Sequence, residues 1–447
     1  MPDQSPILTT LAMPSARQTS RSRRCFSAIA IVSLSACGGG EGTGLTLATS
    51  LSEGSFSSGG MLRTFAAGGN GKGRALGLAD QPTATAPATD TATVPATAPA
   101  TDTATVLAIA PATDTVTVPT ASSGGITVDT TQAPTPQPGV SSVMLSAPGA
   151  IPPLPGAGDW ESGGAFRLLC NWSKMSNDDP IVYPGQPGAA HHHTFFGNTA
   201  VDAYTTSDNI RSKGNATCRG GTVNLSGYWV PSMIDTATSK PIAPKSLLIY
   251  YKTGAWPYFN DGSIMQAIPK GLKMIVGDAS RKTGGGSGQF VCLTMATGTG
   301  HSAGSAIPTT CKDGDDLRMN IDFPQCWDGK NLDSPDHKSH MSHPIAFWTG
   351  DPQRQYRCPE THPVVLPRVS FSVQYTLPAG NDTTKWRLAS DMYDQSLPGG
   401  YSAHADWMNG WDPAISDLWG MKCMRDRRDC GSANIGDGRT TLEFQGN

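Results

Sequence analysis

Histidine is the residue whose distribution points most directly to chemistry in this 447-residue chain. Seven of the nine histidines lie in three short windows, at 191–193, 337–343 and 404. Imidazole can act as a general acid or base near neutral pH, and it is the commonest side-chain metal ligand. The clustering therefore predicts that some of these rings converge on one site.

The first window, His191-His192-His193, directly precedes the apolar run 194–197. Alternate side chains of an extended strand share a face, so His191 and His193 would lie together and His192 opposite. Such a pair suits zinc or copper as well as the wall of a polar cleft. A divalent metal held by His191, His193 and His404 therefore stays open as one interpretation.

The other two windows combine histidine with aspartate. The second is too polar for a core and contains Pro335, so we expect a displayed loop. In the third, His404 and Asp406 would share a strand face, where the carboxylate could orient the imidazole or bind beside it. Aspartates in such segments can instead have a purely structural role, in which the side chain caps a turn.

Carboxylates and tryptophans help to choose a chemistry. From residue 159 onward the chain has only three Glu, so a Glu pair of the glycosidase type is not expected and Asp/His chemistry is favoured. Aromatic faces beside polar groups suit sugar rings. We hypothesise a polysaccharide-active hydrolase or lyase with catalytic His193, His337, His340, His404, Asp336 and Asp406, and substrate-binding Trp327, Trp411, Asn331 and Asp333. The alternatives are a zinc or copper protein and a non-enzymatic glycan-binding or adhesin module.

A further motif, Gly300-His301-Ser302-Ala303-Gly304, has the spacing of a hydrolase nucleophile elbow. That motif requires a strand before it and a helix after it in an α/β sheet. The following residues 305–308, Ser-Ala-Ile-Pro, are a poor helix start. The motif is therefore not included in the predicted site.

Short runs with period-two alternation, rich in Val, Ile, Phe and Tyr, dominate the chain after residue 159. They alternate with turn residues, and no long segment has helical periodicity. This pattern predicts a mainly β domain, a β-sandwich or jelly-roll-like fold. The runs are 166–172, 246–252, 271–277, 289–296, 316–323 and 368–377.

Eight cysteines lie in this domain, and an even number in an exported domain favours disulfides. None forms a C-x-x-C pair, so a zinc ribbon is not favoured. We expect sequence neighbours to pair. The expected bonds are Cys170–Cys218, Cys292–Cys311, Cys326–Cys358 and Cys423–Cys430.

The first third of the chain lacks Trp and Tyr and is predicted not to form a packed core. Residues 1–36 are interpreted as a lipoprotein-type signal peptide, with Cys37 as the lipidated residue. Residues 37–158 are predicted to form a disordered stalk, which contains a twelve-residue repeat starting at Ala86, Ala98 and Ala110. Residues 159–447 would form a single disulfide-rich domain.

The net charge and the predicted export of the protein indicate which binding partners to expect. A net charge of −3 does not favour nucleic acid. An exported protein with one lipid anchor would reach the membrane only through that anchor, at an outer or cell-surface membrane, or be secreted. A polysaccharide or cell-surface glycan is the expected partner.

Several ordered motifs of this chain together resemble one family. They are 179–182 with 184–185, 191–198, 228–231, 273–275, the long run 323–340, 358–359 with 362–364, and 404–406 with 409–412. The chain resembles a secreted family catalogued as a domain of unknown function, number nineteen ninety-six. The resemblance implies a polysaccharide or cell-surface setting, and its pattern does not include residues 300–304. Its pattern has His or Asp at positions matching His191, His193, His337, His340, His362, His404, Asp333, Asp336 and Asp406.

Overall fold

The computed structural model describes residues 126–154, 163–255, 259, 262–347, 355–431 and 433–443. The predicted leader, Cys37 and the twelve-residue repeat lie outside the described residues. Within these ranges, no helix is both long enough and apolar enough to cross a membrane.

The described residues form mainly short strands, which confirms the prediction of a mainly β domain. Helical structure is confined to α1 (Pro413–Trp419), 3₁₀ turns at Thr130–Gln132 and Thr383–Lys385, and a π-helical turn at Gly420–Arg425. The strands are β1 (Ala165–Cys170), β2 (Trp172–Ser176), β3 (His193–Gly197), β4 (Gly227–Pro231), β5 (Met233–Asp235), β6 (Lys240–Pro241), β7 (Ser246–Lys252), β8 (Lys273–Gly277), β9 (Gln289–Thr294), β10 (Thr299–Gly304), β11 (Asp316–Asp322), β12 (Cys326–Trp327), β13 (Met341–Ser342), β14 (Ile345–Phe347), β15 (Gln355–Arg357), β16 (Val364–Val365), β17 (Arg368–Thr376), β18 (Trp386–Leu388) and β19 (His404–Met408).

Two antiparallel sheets provide the framework of the described domain. The larger has the order β1-β7-β17-β11-β9-β10 and the smaller β2-β3-β4-β19-β8. They face each other across aromatic side chains: the rings of Tyr228 and Phe371 lie 5.6 Å apart, and the hydroxyls of Tyr228 and Tyr251 are 2.9 Å apart. The architecture is therefore a sandwich whose core lies between the two sheets.

The three middle strands of the smaller sheet, β3, β4 and β19, are buried at every residue and therefore on both faces, since successive side chains point to opposite sides. Phe196, Tyr228 and Trp407 belong to the core between the sheets. Their neighbours Phe195, Trp229 and Met408 point the other way and pack with Ile181, Val201 and Ile210. This second apolar cluster places part of the outer face of the smaller sheet out of contact with water.

The disulfides are those expected from sequence neighbours. Within the described residues, Cys170 pairs with Cys218, Cys292 with Cys311, Cys326 with Cys358, and Cys423 with Cys430. The predicted connectivity is confirmed.

Removing the Cys170–Cys218 bond should destabilise the domain more than removing the Cys423–Cys430 bond. The first spans 48 residues and the second 7, and a longer closed loop restricts the unfolded chain more strongly. Loop-closure entropy gives losses of about 4 and about 2.5 kcal/mol for the two double Cys→Ala variants. Urea unfolding of both variants measures the difference, and equal losses would contradict the expectation.

Residues 126–154 pack against the domain, although the sequence predicted stalk up to residue 158. Val140 and Ala216 exchange two backbone hydrogen bonds of 2.8 and 2.9 Å. Met144 donates to the carbonyl of Gly220 and accepts from the amide of Leu442. The packed part of the chain therefore includes residues that precede Asp159.

Candidate functional site

Strands β3, β4 and β19 place His193 and His404 on the same face of the smaller sheet. β4 lies between the other two, with His193 paired to Pro231 and Asp406 paired to Trp229. His193 lies two residues before Phe195, and His404 and Asp406 lie four and two residues before Met408. All three polar side chains therefore share the outer face with the second apolar cluster.

Gly277 on β8 lets the chain approach closely beside His404. The two residues are paired in the sheet, and Gly277 has a φ of +94°. A Cβ added there would lie 2.8 Å from the Cβ of His404. A side chain at this position would therefore displace His404, and only glycine accommodates both the contact and the backbone conformation.

Three imidazoles, those of His191, His193 and His404, lie together and are called here the histidine cluster. The ring centroids are 4.2 Å apart for His191 and His193, 4.9 Å for His191 and His404, and 5.8 Å for His193 and His404. The Nε2 atoms of His191 and His404 are 3.1 Å apart. His192 contacts the hydroxyl of Ser232 instead, at 2.9 Å. The rings predicted as metal ligands are thus the ones that converge.

Backbone carbonyls orient two of these rings. A carbonyl only accepts, so Nδ1 of His193 donates to Asp178 O at 3.0 Å, and Nδ1 of His404 donates to Ser402 O at 2.9 Å. In a neutral ring the other nitrogen then carries the lone pair. The buried Nε2 of His193 has no hydrogen-bond partner among the described residues. Carbonyl-oriented imidazoles with free Nε2 lone pairs are the usual arrangement of metal-binding histidines.

Burial keeps the clustered imidazoles neutral. It lowers the pKa of His191 to about 3 and that of His404 to about 4. Burial, reinforced by the neighbouring imidazoles, lowers the pKa of His193 well below its usual value. At neutral pH the lone pairs are therefore available to a cation.

Two buried carboxylates complete the site. Oδ2 of Asp406 lies 3.9 Å from Nε2 of His404 and has no hydrogen-bond partner in the described part of the chain. Asp179 accepts from the amides of Ile181 and Val182 at 2.8 and 2.9 Å. Burial raises the pKa of both carboxyls, and for Asp406 the charge of Asp179 adds to the effect.

The donor atoms form two overlapping groups. One atom each from His191, His193 and His404 lie within 4.8 Å of one another, and the same holds for Asp179, His193 and Asp406. His193 belongs to both groups. His193 therefore links the three imidazoles to the two carboxyls in one continuous group of five side chains.

The histidines of loop 331–343 are held by contacts of their own. Nδ1 of His337 lies 2.9 Å from Asp333, which also binds Lys273 at 2.9 Å. Both nitrogens of buried His340 are engaged, by the hydroxyl of Ser334 and the carbonyl of Lys273. Among the described residues, neither ring has a ring contact with the histidine cluster. The charge of His337 acts on Asp179, one of the two carboxyls of the site. That His337 and His340 share one catalytic site with His193 stays a prediction.

Asp336, predicted as a catalytic acid or base, organises the turn of this loop. Its Oδ1 accepts from the hydroxyls of Ser334 and Ser339, at 2.7 Å each, and from the amide of Ser339 at 2.9 Å. These hydrogen bonds hold the pKa of Asp336 well below its usual value. This is the capping role that aspartate plays in turns.

The same loop still reaches the neighbourhood of the cluster. Lys338 donates to the carbonyl of Gly277 at 2.8 Å, and its charge acts on His404 and Asp406. Two residues of this site, Lys338 and Asp179, were not among the predicted site residues. Both lie in motifs that carry the family resemblance, since Asp179 opens the motif 179–182 and Lys338 belongs to the run 323–340.

The prediction that Trp411 forms a sugar platform is wrong. Its side chain is 1% exposed, and its indole N–H donates to the hydroxyl of Tyr251 within the core. Trp327 is partly buried, and its indole donates to the carbonyl of Asn331 at 2.6 Å. The side chain of Asn331 binds Asp328 at 2.6 Å. A substrate-binding role for Trp327, Asn331 and Asp333 stays a prediction.

Comparison with known proteins agrees with the resemblance seen in the motifs. No curated protein matches the chain, and no solved structure does. The family described as a domain of unknown function (DUF1996) matches residues 179–411, which include the whole histidine cluster and both buried carboxylates. Since this match covers more than half of the sequence, the chain belongs to the DUF1996 family.

Proposed function

We propose that this domain binds one transition-metal ion, zinc or copper, between His191, His193 and His404. The observation that carries the proposal is the convergence of three neutral imidazoles, of which His193 and His404 are buried and His191 is half-buried. Imidazole is a good ligand for both metals, and thiolate ligands are absent because all eight cysteines of the domain are in disulfides.

The spacing of the nitrogens suits a metal. Two nitrogens bound to zinc at 2.0–2.1 Å in a tetrahedral site lie about 3.3 Å apart. The Nε2 atoms of His191 and His404 are 3.1 Å apart. Two neutral imidazoles can also approach in this way if one Nε2 carries a proton. The Nε2 of His193 would then still lack a partner among the residues that the structure describes. A shared cation satisfies all three nitrogens.

The charges support a cation as well. Asp406 and Asp179 are 1% and 3% exposed. An ionised carboxylate without a partner is costly to bury, and Oδ2 of Asp406 has none among the described residues. A divalent ion beside them would compensate the negative charge, and Asp406 is placed to serve as a fourth ligand.

This geometry favours metal binding over direct acid–base hydrolysis. His193 and His404 are 0% and 4% exposed, so a polymer cannot approach their ring nitrogens directly. Bound zinc would supply a Lewis acid, and bound copper a redox centre. His191, the most exposed of the three rings, would mark the side from which a small molecule reaches the ion.

The setting proposed for this site is extracytoplasmic. Disulfides persist in oxidising compartments, so the four bonds in the described domain support export. Export through residues 1–36, lipidation of Cys37 and a glycan partner remain parts of the proposal.

Metal analysis of untagged protein tests the proposal. After expression with zinc or copper and extensive dialysis, elemental analysis should find about one ion per chain. Competition with a chromophoric chelator then ranks the two metals. Less than one ion in ten chains with either metal, together with no heat of binding in calorimetry, would reject it.

A further inference from the structure

The motif at residues 300–304 lies on an exposed hairpin, outside the histidine cluster. Strand β10 pairs with β9 at the edge of the larger sheet, and the register shifts between His301 and Ala303. Ser302 is the extra residue of this bulge and has a φ of +54°. A non-glycine residue in the left-handed region is uncommon, and such strained residues concentrate at functional sites.

The hairpin places Ser302 in a hydrogen-bond network with His301 and Asp315. Nδ1 of His301 lies 3.4 Å from the Ser302 hydroxyl, and Nε2 of His301 lies 2.9 Å from Oδ2 of Asp315. Because a carboxylate only accepts, the proton sits on Nε2 and the lone pair of Nδ1 faces Ser302. The ring thus has the tautomer that a general base requires, and the longer contact is in the range found before substrate binds.

The carboxylate of this network, Asp315, is fixed in place. Asp315 is 3% exposed, and its Oδ2 also accepts from the amide of Lys312 at 2.9 Å. That amide, followed by the contact with His301, holds the pKa of Asp315 below its usual value despite burial. An ionised, oriented carboxylate stabilises the imidazolium that forms when the ring takes a proton.

Thr310 adds a hydrogen bond to the serine oxygen itself. Its hydroxyl donates to Oγ of Ser302 at 2.6 Å. A donor at this oxygen leaves the serine proton free to point to His301, and it stabilises the negative charge that develops on the oxygen. The Cys292–Cys311 disulfide joins the residue after Thr310 to β9, which holds the donor beside the hairpin.

We propose that Ser302, His301 and Asp315 form a nucleophilic triad that cleaves carboxylic esters. Ser302 is exposed, so an ester carried on a larger molecule can reach its hydroxyl. Triads recur on unrelated folds and are recognised by geometry and roles. The β hairpin replaces the strand–turn–helix context that the motif has in α/β hydrolases.

The reaction follows from the hydrogen bonds. Oγ of Ser302 attacks the acyl carbon while its proton passes to Nδ1 of His301. The bond from that carbon to the leaving oxygen breaks as the imidazolium returns the proton, which releases the alcohol. Water then attacks the acyl-serine by the same proton route, releases the carboxylic acid and restores Ser302.

A fluorophosphonate probe tests the triad on the intact protein. Its phosphorus should bond to Oγ of Ser302 with loss of fluoride, and mass spectrometry should place one label per chain on that residue. Ser302→Gly removes the hydroxyl and accepts the positive φ, so this variant should stay folded and unlabelled. His301→Gln should slow labelling about 100-fold, the size of a general-base contribution.

Ser280→Ala is the matched control. Ser280 is an exposed serine whose hydroxyl binds Asp278 at 2.6 Å without a histidine, so its removal should leave labelling unchanged. Absence of label on the wild-type protein overturns the proposal. So does a label on any other residue, or a labelling rate that His301→Gln does not change.

Discussion

Replacing His193 by alanine should abolish stoichiometric metal binding. His193 belongs to both groups of convergent donors, and its Nε2 is buried without a partner in the described residues. Loss of a residue that only orients a ligand costs about 10–100-fold in metal affinity. Loss of this central ligand should therefore lower the affinity for zinc or copper by more than about 100-fold. Chelator competition measures the affinity directly.

The control for this variant is His362→Gln. His362 is half-buried, lies outside the cluster and bonds to the carbonyl of Ser339, so its replacement should leave metal binding unchanged. His193→Gln fills more of the buried volume than alanine does and guards against a loss caused by misfolding, which circular dichroism would reveal. Wild-type affinity in either folded His193 variant would contradict the assignment.

Replacing Asp406 by asparagine should affect the metal-free and metal-bound proteins in opposite directions. Without a cation, Oδ2 of Asp406 is buried without a partner among the described residues, and burial raises the pKa of this carboxyl. A raised folded pKa means that stability is present while the carboxyl is protonated and is lost as pH rises above the unfolded value. The amide carries no charge, so Asp406→Asn should stabilise the metal-free protein at pH 7 by roughly 1–3 kcal/mol.

With the metal bound, the wild-type protein should be more stable than Asp406→Asn. The carboxylate then compensates the ion's charge, so the wild-type protein should gain more stability from saturating metal than the variant does. Unfolding midpoints measured at pH 5, 7 and 8, with metal and with chelator, give both differences. A metal-free variant that is less stable than the wild type at pH 7 and 8 would contradict the expectation, and so would an unchanged metal affinity.

Much of this arrangement could be predicted because it follows from strand periodicity. Alternation along β19 correctly placed His404 and Asp406 on the same face of the strand. Alternation also grouped His193, the first residue of β3, with His191. The pairing of cysteines that are neighbours in sequence order was also confirmed, although the connections between partners range from 7 to 48 residues. The mainly β fold follows from many short alternating runs.

The remaining site predictions concern positions that strand periodicity does not determine. His337 and His340 lie in a loop whose path depends on hydrogen bonds to Asp333, Ser334 and Lys273. Trp411 lies beyond the end of β19, where no alternation indicates which way the indole points, and it packs into the core. The link from His301 to Asp315 crosses from β10 to the loop before β11, so spacing along the motif could not reveal it.

The separation of His191 and His404 in the sequence, 213 residues, has a consequence for kinetics. Their rings meet only after β19 has docked beside β4, a long-range step that local segments cannot anticipate. If this docking completes the rate-limiting step of folding, the proposed ion finds its ligands only afterwards. It should leave the rate of folding unchanged and slow the rate of unfolding, so that the metal would determine how long the native protein lasts.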